Sequence, residues 1–193
     1  MKAGARRALP AVRRALEKHE LLLIADASLP SIATLVARAP IAGSWWSHPL
    51  AHEIYDVCQW LEDQPDVAHV KLVAGKVTFV HRRLFASVAA VGAARERWQT
   101  RSLTPAAKRL LALCDARGVV RLDELTPRTR DAVRARAKSA QELERRLLVR
   151  TDDVHTSSGA HARRLWSWPA FRSSLSPVPE SVSAATGRAA LEA

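Results

Sequence analysis

His48, His52 and Asp56 follow one another at four-residue intervals, the spacing that would line up three metal ligands along one face of a helix. Pro49 works against that alignment, because the residue before a proline is pushed out of helical geometry. It also stands where the zinc-protease signature needs a glutamate directly after its first histidine. Capping and packing are therefore the expected roles of these groups, and no metal or cofactor is expected. Glu53 or Asp56, close in sequence to Trp45 and Trp46, could pair a general acid with a stacking platform for a base. A tryptophan pair more often closes a core beneath a loop. The chain has no glycine-rich phosphate loop, no Gly-x-Ser-x-Gly elbow and no Cys-x-x-Cys pair.

The densest chemistry lies between Thr126 and Trp168. Arg130, Arg134, Lys138, Gln141 and Arg145 recur at three- and four-residue spacing, so one helix would carry them as a row of long, mostly cationic side chains. Val133, Ala137, Ala140, Leu143 and Leu147 form a second stripe roughly 120° round the same cylinder, at about 100° per residue, and are expected to face a core. Cations in such a row neutralise phosphates and release condensed counterions, and Gln141 or an arginine could reach base edges. The alternative is a solvated helix face, since surface helices commonly carry arginine.

A hairpin should follow, from Leu148 to Trp168, with Thr156-Ser157-Ser158-Gly159 at its tip. Centring the turn on Ser158 sets Asp152 opposite Arg164, Asp153 opposite Arg163 and His155 opposite His161. The two arginines would then be structural in part. His155, Ser157, Ser158 and His161 make a polar tip that could touch phosphate or sugar, and two facing histidines do not make a metal site.

These groups need elements to hold them. Pro10 could open a helix over Ala11 to Glu20, and Leu21-Leu22-Leu23-Ile24 is either a brief strand or more buried helix. Leu29 to Ala39 reads as a second helix and Pro40 to His48 as a loop. A third helix, capped by Ser47 or His48 with Pro49 at its first position, should bury Leu50, Ile54, Val57, Cys58 and Leu61. Strands are expected at Ala68 to Val73 and Lys76 to Arg82, joined at Ala74-Gly75, then a connecting helix from Arg83 to Trp98 and a junction from Gln99 to Leu103. Thr104 and Pro105 start a helix that Gly118 ends, Val119 to Leu122 is a small strand, and Asp123-Glu124-Leu125 a very short helix. The basic helix should run from Pro127 to Leu147. Alternatively, a second helix ends at Arg136 and a shorter one starts at Ser139, which makes a capping box with Glu142.

A helix with one buried and one basic face, leading into a hairpin with a polar tip, resembles the recognition helix and wing of the winged helix-turn-helix superfamily. The earlier succession of helix, possible strand, helix, loop, helix and hairpin resembles it again. The resemblance implies an α+β, mostly helical fold of two winged-helix-like modules in tandem. Residues 1–100 would hold the first with its connecting helix, 101–174 the second, and 175–193 a flexible Ser-, Pro- and Ala-rich tail. It also implies a duplex DNA-binding protein with a transcriptional or chromosome-associated role, in which Arg130, Arg134, Lys138, Gln141, Arg145, His155, Ser157, Ser158, His161 and Arg163 would meet DNA. Glu53, Asp56, Glu62 and Asp63 make the first module's third helix acidic and a poor groove reader, although Lys71, Lys76, Arg82 and Arg83 on its hairpin could track a backbone. Homodimers are common among such readers, so a homodimer is admitted, with no dimer helix evident. The rivals are a nucleic-acid-processing enzyme, such as the DNA glycosylases built on winged helices, and an adaptor that contacts protein.

Bulk properties agree with a polyanionic partner. The 193 residues carry a net charge of +11, with 17 Lys and Arg against 10 acids in 101–193 and 13 against 9 before it. Cys58 and Cys114 have no metal spacing and read as buried apolar groups in a reducing compartment. No apolar run is long enough to span a membrane, and Arg13, Arg14 and Glu17 interrupt any secretion signal, so a cytoplasmic protein without membrane contact is expected.

Overall fold

Helix α1, Ala3–His19, buries Ala5, Val12 and Leu16 along one side and ends where Glu20 turns left-handed at φ 59°. Pro10 lies inside this helix, not at its start. The ring removes only the hydrogen bond to the carbonyl of Arg6, and both residues are exposed, so water can serve that carbonyl. The computed structural model describes residues 2–73, 75–156 and 159–192 and divides the chain into two units, 1–85 and 86–193. The fold is α+β and mostly helical, with two three-stranded antiparallel sheets.

In the first unit the turn at Glu20 resolves the apolar run that follows as strand β1, Leu21–Leu23. Helix α2 covers Ile32–Ala37 and is shorter than Leu29 to Ala39, because Ser31 is its cap and accepts the Thr34 N–H. Helix α3 spans Ala51–Glu62, and strands β2, Val67–Lys71, and β3, Val77–His81, close the sheet in the order β1-β3-β2. Phe79 sits opposite both Leu22 and His69, and its ring joins Val12, Leu16, Ile32, Ile54 and Leu61 in a core sealed from water.

In the second unit the expected single connecting helix is two: α4, Phe85–Ala93, and α5, Arg97–Thr100. The chain turns left-handed at Arg95, φ 55°, and Glu96 caps α5 reciprocally with Gln99. Gln99 is fully buried, and its amide donates to the carbonyls of Gly92, Arg146 and Leu147. A straight helix would strand that polar group in the core. Helix α6, Pro105–Arg117, is capped by Thr104 and stopped by Gly118 at φ 74°. Strand β4, Val119–Arg121, a single turn at Leu122–Glu124, helix α7, Arg130–Arg145, and strands β5, Arg150–His155, and β6, His161–Trp166, follow. The sheet order is β4-β6-β5. Strand β5 begins at Arg150, later than the expected Leu148, because Leu147 is left-handed at φ 52° and Leu148 and Val149 are buried.

Helix α8, Trp168–Ser174, is capped by Ser167. The chain from 175 onward is not a loose tail. Helix α9, Ala184–Glu192, buries Gly187 near the backbone of Ser87, and Arg188 pairs with Glu96. A glycine there lets two helices approach closely, which a compositional reading of the segment does not reveal. From α1 to β3 and from α6 to β6 the order of the main elements is helix, strand, helix or helical turn, helix, strand, strand, with sheet order first, third, second. No helix among the described residues is long and apolar enough to cross a membrane.

Candidate nucleic-acid interface

Helix α7 starts at Thr129, whose hydroxyl accepts the Ala132 N–H at 3.3 Å. It is continuous to Arg145, so the alternative with a break before Ser139 does not apply. The Ser139 hydroxyl donates to the Ala135 carbonyl at 3.0 Å and lies inside the helix. The buried side chains of α7 are Ser139, Ala140, Leu143 and Glu144, all in its second half. Val133, half exposed, and Ala137, exposed, do not face a core as their spacing suggested. The core beneath the helix, built on Leu110, Leu111, Leu148 and Leu165, engages only Ala140 and Leu143 of this helix. The first nine residues, 130–138, contain no buried side chain. At about 1.5 Å per residue they make a rod of about 13 Å, comparable to the width of a DNA major groove at about 12 Å.

Arg130, Arg134, Lys138, Gln141 and Arg145 are all exposed. None of the four cations has a carboxylate within ion-pair distance among the described residues, whereas Arg95, Arg121, Arg150, Arg164 and Arg188 of the same unit each have one.

The hairpin has the register expected from its sequence, with Asp152 opposite Arg164, Asp153 opposite Arg163 and His155 opposite His161. Its two faces differ in kind. On one, Asp152 accepts from Arg164 Nε and Nη2 at 2.8 and 2.9 Å, from Arg150 at 2.9 Å and from the Trp166 indole at 3.2 Å. Burial alone would raise the Asp152 carboxyl, but the Arg164 hydrogen bond and the charges of Arg150 and Arg164 outweigh it and hold it below the usual carboxylate range. Arg150 also lies 4.5 Å from the centre of the Phe171 ring, and Arg164 4.8 Å from that of Trp166. These arginines hold the hairpin together.

On the other face Arg163 is only loosely held by Asp153, at 3.9 Å. With His161 and Asp153 it forms one wall of an open groove of about 690 Å³ whose other wall carries Arg134, Lys138 and Gln141. The rings of His155 and His161 lie 4.3 Å apart at the outer end of the strands. Ser157 and Ser158, proposed from the sequence as tip contacts, lie outside the described residues. The sequence residues that converge are thus Arg134, Lys138 and Gln141 on α7 with His161 and Arg163 on β6. Comparison with protein-family models, curated proteins and solved structures finds no match.

In the first unit the helix before the hairpin offers no corresponding face. Along the exposed side of α3 stand His52, Tyr55, Gln59 and Glu62, without a cation. His48 does not join His52 and Asp56: its Nδ1 accepts the Leu50 N–H at 3.1 Å, and Asp56 accepts the Lys2 N–H at 2.7 Å. Among the described residues no group of three His, Cys, Asp or Glu could hold a metal. Trp45 and Trp46 stack at 4.0 Å, Trp45 against the core and Trp46 61% exposed beside Tyr55. On the β2–β3 side Lys76 is engaged by Asp26 at 2.5 Å and Arg83 by Glu20 at 3.0 Å, so these two cations are not free to follow a backbone. Both thiols are buried, and burial pushes Cys58 and Cys114 up to about 12, which leaves them inert as nucleophiles.

One group escaped the reading of the sequence. Arg97, Trp98 and Arg101, at the expected helix end and junction, line a second open pocket of about 630 Å³ with Ser102 and Arg146. The interleaving of basic and aromatic residues was its available signal.

Proposed function

We propose that this chain is a cytoplasmic duplex DNA-binding protein that does no chemistry on its ligand, and that it uses α7 and the β5–β6 hairpin of its second unit as recognition helix and wing. The observation that carries this is the first half of α7: nine residues with no buried side chain, with Arg130, Arg134 and Lys138 unpaired among the described residues, beside a hairpin across an open groove. Readers of this kind place the N-terminal residues of the second helix against base edges in the major groove while the flanking cations hold phosphates. The order of elements and the first-third-second sheet in each unit support a winged-helix reading of both. Residues 86–193 carry 19 Lys and Arg against 11 acids, most of the charge excess of the chain, and this favours a polyanion as the partner of that unit.

The first unit, whose helix before the hairpin carries no cation on its exposed side, is assigned a supporting role, and a transcriptional or chromosome-associated regulator is the class that fits. Two buried, unreactive thiols suit a reducing compartment. Fluorescence anisotropy with a labelled duplex tests the proposal. Binding should weaken steeply between about 50 and 200 mM salt, as counterion release requires. Absence of binding at the lower salt would reject it.

A further inference from the structure

The second unit holds another built site, independent of the α7 face. Trp98 is 51% exposed, an unusual position for an indole, and it is fixed there: its Nε1 donates to Glu96 Oε2 at 2.7 Å. The segment that presents it is clamped from beneath by buried Gln99, and Arg146 donates to the carbonyls of Gln99 and Arg101. The left-handed Ser102, φ 64°, turns the chain away directly after. At the mouth stand Arg97 and Arg101, both exposed and neither with a carboxylate partner among the described residues. Glu96, the nearest acid in sequence, is already occupied by Trp98 and Arg188.

An aromatic face held open between two unpaired guanidiniums matches a ligand that is itself flat at one end and anionic at the other. We propose that this pocket binds one unpaired nucleotide, with the base stacked on Trp98 and the phosphate between Arg97 and Arg101. Stacking tolerates any base, and arginine holds phosphate by paired N–H donors. A base inside a duplex cannot offer its face, so the site selects a single-stranded end, a gap or a free nucleotide.

The test uses the full chain with a short single-stranded oligothymidylate, thymidine monophosphate, a blunt duplex and an oligoglutamate peptide. Trp98→Ala should weaken binding of the single strand by about 5- to 150-fold, the range for loss of one base stack, and Trp98→Phe should retain most of it. Arg97→Gln/Arg101→Gln should weaken it as well, while blunt-duplex affinity stays within about twofold for all three variants. Arg134→Ala/Lys138→Ala should do the reverse, so failure of either site is seen separately. Competition by thymidine monophosphate would assign the pocket to free nucleotides as well as strands. The proposal is overturned if neither strand nor nucleotide binding responds to Trp98→Ala in a variant with an unchanged melting temperature, or if oligoglutamate competes equally well.

Discussion

Arg134→Ala/Lys138→Ala is the perturbation that isolates the α7 face. Both side chains are exposed, neither pairs with a carboxylate among the described residues, and alanine is the better helix former, so folding stability should change by no more than about 0.5 kcal/mol. If Arg130, Arg134, Lys138, Arg145 and Arg163 each neutralise one phosphate, log K should fall against log salt with a slope of about −4.5, which is about a 500-fold loss between 50 and 200 mM. Removing two of the five contacts should bring the slope to about −2.7. At 0.1 M salt it should cost about 60-fold in affinity, or about 2.5 kcal/mol. Anisotropy titrations at four or more salt concentrations give both quantities from one data set. The control is Lys108→Ala/Arg109→Ala, which removes the same charge from exposed positions of α6 in the same unit. An equal loss in the control would show that net charge and not a face is recognised, and an unchanged slope in the α7 variant would refute its phosphate contacts outright.

Gly92→Ala should destabilise the second unit by about 3 kcal/mol, because a Cβ there would overlap the Trp168 indole, which is sealed from water and donates to the Leu147 carbonyl at 2.8 Å. Thermal melts followed by circular dichroism should show a fall of about 15 °C. Asp152→Asn should cost about 2 kcal/mol, less than a wholly buried pair would, because Arg164 is partly solvated. The Asp152 carboxyl is held below its unfolded value near 3.9, so its contribution is present above that pH and is lost as pH falls through the lower folded value. Acid melts of Asp152→Asn should therefore be flatter below about pH 4 than those of the parent. Burial lowers His81, and the charge of Arg83 adds to this. The stability it gives the first unit is thus present above the unfolded value near 6.5 and is lost below it, so urea midpoints should drop from pH 7 to 5.5 and do so less in His81→Gln.

What was legible in the sequence was what local rules determine. Thr104-Pro105 and Gly118 bracket a helix because capping, proline geometry and positive φ act within a few residues. The hairpin register followed from where the turn was centred in the sequence, and Asp152 and Arg164 meet across the strands as that register requires. What failed depended on tertiary extent. The stripe through Val133 and Ala137 has helical period, but period does not say how far the supporting core reaches, and here it stops at Ser139. The break at Arg95 is imposed by the buried amide of Gln99, whose acceptors include Arg146 and Leu147, far along the chain. That break turns a nondescript helix end into the pocket around Trp98.

The two units separate two uses of the same arrangement of elements. In the first, the helix that precedes the hairpin buries Ile54, Val57, Cys58 and Leu61 along its length and presents neutral and acidic groups outward. In the second, the corresponding helix has no buried side chain over its first nine residues and places four cations among them. A helix that serves only stability has no reason to forgo burial, since each apolar side chain left in water forfeits about 1.5–3 kcal/mol of stabilisation. The mutual repulsion of Arg130, Arg134 and Lys138 adds to that cost, and among the described residues no carboxylate pairs with them. Such an arrangement becomes favourable when an anion supplies the missing charge, which is why the stability of this unit should rise on adding duplex DNA and should not do so in Arg134→Ala/Lys138→Ala.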